Sequence, residues 1–220
     1  MNKTEKHYIP ALRFHWLTPL YDPLLRWGMR EAGFKHYLVT QMALRPGMRV
    51  LDLGCGTGTL TLMIKASHPG VEVIGIDGDS EVLAIAGEKA ARAGVSIQWD
   101  PGLAYELPYA AGSFDRVVSS LVIHHLAVPD KQRTFMEVLR VLHPGGEFHI
   151  LDFCKPHNLY TRFMAGIMRH FEETAAQFDG RLPEMLIRSG FIELDETRQF
   201  TTIFGPLTAL KAVKLAGVGK

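Results

Sequence analysis

Residues 50–60 read VLDLGCGTGTL, an apolar run that passes through three glycines spaced G-x-G-x-G into a segment of helical period. A strand that turns this sharply into a helix needs glycine for two reasons: the backbone dihedrals resist a side chain, and a ligand must approach the main chain closely. Such a unit opens onto the crevice at the carboxyl ends of the strands in an open α/β sheet. The spacing also sorts among ligands. A dinucleotide pattern G-x-G-x-x-G needs glycine at position 59, where the chain has Thr59, and its third glycine is Gly58 instead. No Walker lysine follows, so phosphate cradling is unsupported. Asp52, two residues before Gly54, makes the run D-x-G-x-G-x-G.

From about residue 48 onward, short β-branched runs alternate with segments of helical period, which predicts an α/β domain with a parallel sheet. Strands are expected at 49–53, 71–76, 95–99, 114–120 and 146–152. Between them, Leu60, Met63 and Ile64, and then Phe135, Val138, Leu139 and Leu142, recur at helical spacing and give each helix one face to bury. Asp79 or Ser80, and Asp130, stand where helix starts are capped. FIELDETRQF and LTALKAVK, separated by Gly205 and Pro206, predict a C-terminal antiparallel hairpin. The whole of 1–220 reads as one domain, with cover helices in 1–45, a ligand-binding core in 46–154, an inserted cover helix in 155–182, and a final helix and hairpin in 183–220. The two cover segments are rich in aromatic residues and methionine. They are expected to roof an apolar pocket over the strand ends, or simply to pack on the sheet.

A chain of 220 residues buries roughly 70% of its unfolded surface without a disulfide or metal staple. Cys55 and Cys154 show no CxxC spacing and lie in apolar contexts, so they read as buried thiols in a reducing cytoplasm. The formal charge of +1 carries no Lys/Arg excess, which disfavours a polynucleotide substrate. The opening MNKTEKHYIP is not an export signal, and no apolar run reaches the roughly 20 residues that span a bilayer. Peripheral membrane contact stays open, and the oligomeric state is not set by the sequence. His15, His143, His149 and His170 have no ligand spacing and read as surface or packing residues, so no metal site is expected.

In VIGIDGDSEVL, Asp77 ends the second strand about twenty residues past the glycines, where its carboxylate can accept from both hydroxyls of a ribose. D-x-G-x-G-x-G and this aspartate together resemble the first motifs of class I S-adenosylmethionine-dependent methyltransferases. ELPYAAGSFDRVVSSLVIHHL at 106–126, VLHPGGEFHILD at 141–152 and LPEMLIRSGF at 182–191 are similar to later motifs of the branch often labelled type 11, which includes the quinone C-methyltransferases. The resemblance covers roughly residues 45–215.

It implies a Rossmann-like, doubly wound, mostly parallel seven-stranded sheet, with S-adenosylmethionine as methyl donor and S-adenosylhomocysteine as product. It assigns the donor to Asp52, Gly54, Cys55, Gly56, Gly58, Asp77, Gly78 and Ser120. Relatives carry an acidic residue after the third strand to accept from adenine, whereas this chain has Gly102-Leu103-Ala104. Either Asp100 reaches in, or backbone groups of Leu103 and Ala104 bind the adenine edge. Tyr21 resembles a tyrosine that relatives place over the donor, and it also reads as an ordinary cover-helix aromatic.

His124 and His125 follow the fourth strand at the ligand rim, where one imidazole could orient or deprotonate an acceptor or merely line the pocket. Methyl transfer from a sulfonium is an in-line displacement with a neutral leaving group, so positioning supplies most of the catalysis. A base is needed only for a weakly acidic acceptor such as a phenol or carbon acid. The chain lacks the Asn/Asp-Pro-Pro-aromatic motif of amino-base methylation, the cysteines of arsenic methylation and the Asp/Asp-Asn set of metal-dependent catechol enzymes. A small, partly hydrophobic organic acceptor is therefore expected. A quinone precursor comes first, a phospholipid amine second and an unassigned secondary metabolite close behind, and the alternative outside enzymology is a donor-binding regulatory protein without turnover.

Overall fold

The computed structural model describes residues 31–156, 180–202 and 205–216. Seven strands form a single sheet: β1 (Arg49–Leu53), β2 (Glu72–Asp77), β3 (Gln98–Pro101), β4 (Phe114–Ser120), β5 (Leu142–Phe153), β6 (Phe191–Thr202) and β7 (Gly205–Lys214). Their order is β3-β2-β1-β4-β5-β7-β6. The first five strands pair in parallel, and β7 enters antiparallel between β5 and β6. This is the expected doubly wound α/β sheet with its antiparallel C-terminal hairpin.

Between the strands run α1 (Glu31–Gln41), α2 (Thr59–Ser67), α3 (Ser80–Arg92), α4 (Val128–Val141) and α5 (Leu182–Ser189). Helices cover both faces, so the central strands are buried on both sides and read as continuous apolar runs. One core joins Leu51, Leu53, Ile74 and Val117 of the sheet to Phe135 and Val138 of α4 and to Leu182 and Leu186 of α5. The other joins Val50, Val73, Val118 and Leu151 to Leu60 and Ile64 of α2 and to Phe34 and Leu38 of α1. Because β1 lies between β2 and β4, the crossovers on its two sides leave in opposite directions. A crevice opens there at the strand ends.

Four local expectations are corrected. The third strand begins at Gln98 rather than residue 95, because Gly94 (φ 67°) and the bond from Val95 N–H to Ala90 O close the end of α3 first. β5 begins at Leu142, which leaves the α4 stripe and pairs with Phe114, ahead of a register shift at the Pro-Gly-Gly segment. Asp79 caps α3 by accepting from Glu81 N–H at 2.8 Å, but α4 is capped by Ala127 without a side-chain bond; Pro129 opens its first turn, and Asp130 meets Arg133 instead. Gly205 and Pro206 are the first two residues of β7, paired with Thr202 and Thr201, rather than a break between the two strands.

The N-terminal cover segment is described from residue 31 onward. Phe34, Leu38 and Met42 are fully buried against the sheet. Gln41 donates to Thr197 at 2.8 Å, and Arg198 lies over both Tyr37 and Phe200. The apolar side of α1 is therefore packed on the sheet, the second of the two alternatives for this segment.

Trp99 of β3 sets the fit between sheet and helices. A Cβ added at Gly75 would lie 2.6 Å from its ring and 2.9 Å from Cys55 Sγ, and one added at Gly58 would lie 2.6 Å from the ring and 2.9 Å from Ala86 Cβ. Glycine at 58 and 75 thus makes the slot that an indole fills. Gly75→Ala, with no space for its methyl, should cost about 1–3 kcal/mol of stability, read as a lowered denaturation midpoint. Adding Trp99→Leu should restore part of that loss, and strictly additive losses would show that the slot is not shared.

Candidate functional site

The glycine loop is stitched to the end of β2. Gly54 N–H and Cys55 N–H both donate to Ile76 O, at 2.8 and 3.0 Å, and Gly56 N–H donates to the Asp77 carboxylate at 2.8 Å. All three loop glycines have positive φ: 70° at Gly54, 52° at Gly56 and 75° at Gly58. Their surroundings nevertheless differ. A Cβ at Gly54 would meet the Val122 methyls at 2.5 Å, whereas one at Gly56 would have nothing within 4 Å among the described residues. Gly56 alone leaves an open face for a ligand. Gly58 heads α2 beneath Trp99. Cys55 turns its buried thiol toward Gly75 and Trp99, and burial, with Asp52 and Asp77 nearby, pushes its pKa far up and leaves it inert. The two cysteines are both buried and free, as expected for reduced thiols.

Two carboxylates flank this loop. Asp52, the last residue but one of β1, has 2% exposure and accepts from the Thr61 hydroxyl of α2 at 2.6 Å. Burial pushes its pKa up to about 6, with the negative Asp77 adding to the rise and Thr61 and Lys35 opposing it. Asp77 accepts from Gly56 N–H and, at 3.0 Å, from Asp79 N–H. Its pKa is likewise raised, chiefly by burial, against those backbone donors. Gly78 beside it is exposed. The chain therefore spends folding energy to hold two mutually repelling acids at the crevice, an arrangement that suits a ligand carrying positive charge and hydroxyl donors.

On the next rim, Asp100 accepts from Tyr109 OH at 2.8 Å and from Gln98 at 2.9 and 3.1 Å, so its carboxylate is committed to its neighbours. Leu103 O accepts from Glu106 N–H at 3.0 Å in a short turn, with Ala104 following at its tip. Tyr21 lies outside the described residues.

The loop after β4 faces the glycines. The Ser120 hydroxyl is buried with no hydrogen-bond partner among the described residues, which leaves a polar group waiting for a ligand or water. Leu121 takes φ 60°, an unfavourable conformation for a branched side chain, and its N–H donates to Leu151 O at 2.8 Å. That turn brings Val122 into the space Gly54 leaves. A single helical turn, Ile123–His125, follows. His124 is buried, with Nδ1 2.8 Å from Asp152 Oδ1, and its ring lies 3.9 Å from that of His125. Burial, then His124, pushes the His125 pKa down to about 3, so His125 is neutral at physiological pH.

Three of these residues went unnoticed in the sequence: Thr61, Trp99 and Asp152. Asp152 carried one readable signal, an acid at the end of an otherwise apolar strand, HILDF. Among the described residues, no group of three or more His, Cys, Asp or Glu side chains could hold a metal ion, and no helix is long and apolar enough to cross a membrane.

A family model described as a methyltransferase domain matches residues 50–146. A demethylmenaquinone methyltransferase of Thermus thermophilus is 36% identical over 152 residues, covering 65% of this chain and 65% of the relative. An uncharacterized methyltransferase of Synechocystis is 35% identical over 164 residues, covering 73% of this chain and 74% of the relative. The match thus spans just under two thirds of the Thermus enzyme's length. In fold, the chain is similar to phosphoethanolamine N-methyltransferase 2 of Haemonchus contortus, solved with S-adenosylmethionine, at TM-score 0.68 and 19% identity over 83% of this chain and 52% of that one.

The raised Asp52 pKa has a definite sign for stability. The folded state binds the Asp52 proton more tightly than the unfolded chain does, so this group's contribution is fully present below about pH 4 and is lost as pH rises through about 6. At neutral pH the buried charge costs on the order of 3 kcal/mol. Asp52→Asn should therefore raise the apo melting temperature at pH 7.5 by several degrees, since each kcal/mol shifts a domain of this size by roughly 2–4 °C. The gain should vanish near pH 4. An unchanged or lowered melting temperature at both pH values would contradict the buried-charge assignment.

Proposed function

Because the chain belongs to the class I S-adenosylmethionine-dependent methyltransferases, we propose that it carries the donor's methyl group to a small, partly hydrophobic acceptor of the quinone-precursor type. The observation that carries this reading is the acidic pair Asp52 and Asp77 set around the open face of Gly56 at the crevice beside β1. The donor supplies a methyl group on a cationic sulfur that leaves as a neutral thioether. The residues fit it. Asp77 is placed for the ribose hydroxyls, Gly56 for close approach of the main chain, and Asp52 for the positive end of the methionyl part. The orphaned Ser120 hydroxyl gives that end a further partner, and the backbone at Leu103 and Ala104 is left for the adenine edge. Gly54, Gly58 and Cys55 shape the loop through Val122 and Trp99 rather than through the ligand.

In this reading catalysis is mainly positional: the stitched loop fixes the donor, and the rim after β4 and β5 fixes the acceptor. The Thermus relative's name supports a ring acceptor over a phospholipid amine. The small molecule is met in the cytoplasm, and nothing in the charge pattern invites a polynucleotide.

Two measurements test the assignment. Incubated with labelled donor and a reduced naphthoquinone lacking the ring methyl, the protein should transfer label to the organic product and release S-adenosylhomocysteine, whereas phosphoethanolamine should give none. Transfer to the amine alone, or donor binding with no acceptor turned over, would contradict it. Asp77→Ala should weaken donor binding about tenfold to a hundredfold by removing charged hydrogen bonds worth roughly 1.5–3 kcal/mol, and Asp77→Asn, which keeps an acceptor, should weaken it less. Undiminished affinity in a folded Asp77→Ala protein would remove the ribose assignment.

A further inference from the structure

Leu107, Pro108 and Tyr109 carry the chain from the Leu103–Glu106 turn back toward β4, and proline at 108 removes a donor, so carbonyls outnumber N–H groups there. Helix α4 supplies their partners. Glu137 Oε2 accepts from Leu107 N–H at 2.8 Å, and the Arg140 guanidinium donates to Leu107 O at 3.0 Å and to Tyr109 O at 2.6 Å. The same guanidinium meets both Glu137 oxygens, each at 2.8 Å. It holds the Glu137 carboxyl below the usual range, while Glu137 holds the Arg140 pKa up, so both stay charged near neutrality. Four residues before Glu137, Arg133 lies over the Tyr105 ring, 4.8 Å from its centroid. Arg133, Glu137 and Arg140 stand at i, i+4 and i+7, so one stripe of α4 runs along residues 105–109. The helix itself is fixed, because Phe135, Val138 and Val141 are fully buried in the core. At the other end of the turn, Gly102 N–H donates to Asp77 O at 2.9 Å. The turn is thus held between β2 and α4.

We propose that Arg133, Glu137 and Arg140 brace the Leu103–Glu106 turn so that its main chain can read the donor's adenine, which makes the three of them positioning residues for donor selection. The inference rests on the donor reading above. Neither Leu103 nor Ala104 has an acidic side chain, and the Asp100 carboxylate already accepts from Tyr109 OH and from Gln98. Recognition of the base then falls to backbone groups of the turn. Adenine presents an amino donor beside the N1 acceptor, whereas hypoxanthine presents an oxo acceptor beside an N1–H donor. A backbone edge tells the two apart only when its N–H and C=O groups are held in place, because a mobile turn can pair with either pattern. The bond from Glu106 N–H to Leu103 O, at 3.0 Å, sets the shape of the turn but not its place against the sheet. The α4 stripe sets that place. Lysine at 140 could not do the same, since it offers a point charge, whereas the guanidinium fork reaches two carbonyls and both carboxylate oxygens together.

The test is titration calorimetry of the full chain with S-adenosylhomocysteine and with S-inosylhomocysteine, which differs only in carrying hypoxanthine in place of adenine. Wild type should prefer the adenosyl compound by about tenfold or more. Arg140→Lys and Arg140→Gln, each first shown to fold by circular dichroism, should lose about tenfold in affinity for the adenosyl compound and stay within about threefold of wild type for the inosyl one. Their preference should thus collapse to about threefold or less. Arg188→Gln removes an exposed charge from α5 and should leave both affinities unchanged. Arg133→Ala, at the exposed end of the stripe, disturbs no carbonyl and serves if the Arg140 variants do not fold; it should lower the preference by about threefold. A brace that only stabilised the fold would lower both affinities by the same factor and leave the preference at its wild-type value. That outcome, or a wild type that binds the two compounds equally, would overturn the proposal. Wild-type protein that binds neither compound would instead sink the donor reading on which it rests.

Discussion

Three hydrogen bonds from consecutive residues of the glycine loop to the last two residues of β2 set the geometry of everything around the crevice. Gly54 and Cys55 donate to the Ile76 carbonyl, and Gly56 donates to the Asp77 side chain. They are possible because β1 and β2 pair in parallel with Leu53 level with Ile76, so the loop emerges beside the end of its neighbour. The same bonds hold the open side of Gly56 toward the crevice and leave Gly54 bare for Val122. The post-β4 turn is thereby locked against the post-β1 turn, and its strained Leu121 is held by Leu151 O of β5. From that point the chain runs directly to His124, whose ring meets Asp152 of β5. The two rims of the crevice are thus coupled through a few close contacts.

Much of this was legible in the residues, and the reason differs from case to case. The alternation of apolar runs with helical stripes led to the sheet, because binary pattern and period are local properties. The glycines and Asp77 were legible because unusual dihedrals and an acid at a strand end have few other uses. Gly58 and Cys55 show the limit of that reasoning. Both sit in the motif, yet their environment is the indole of Trp99, a residue about forty positions later, and no local rule predicts that contact. Asp152 escaped notice for the same reason: its partner His124 is 28 residues away, on the neighbouring strand's loop. The late start of β3 and the misplaced cap at Asp130 are boundary errors, where the hydrogen bonds of Val95 and the proline at 129 outvote propensity. Helix α1 was left open between roof and core because aromatic and methionine residues serve a core and an apolar pocket equally well; its burial against the sheet is a long-range property.

The crevice is built against its own stability. A buried acid and a half-buried one repel each other across the glycine loop, a buried serine hydroxyl lacks a partner among the described residues, and a leucine sits at positive φ. Each costs free energy in the free protein, and each would be relieved or put to use by a cationic ligand with hydroxyl groups. Concentrating unfavourable groups in one place, while the sheet and both cores follow every local rule, is how a fold marks a binding site.

Titration calorimetry of the purified chain at pH 7.5 with S-adenosylmethionine, S-adenosylhomocysteine and NAD tests that account most directly. It predicts micromolar or tighter binding of the donor and its product, with no heat from NAD beyond dilution. Micromolar affinity for NAD without response to the methyl donor would contradict it.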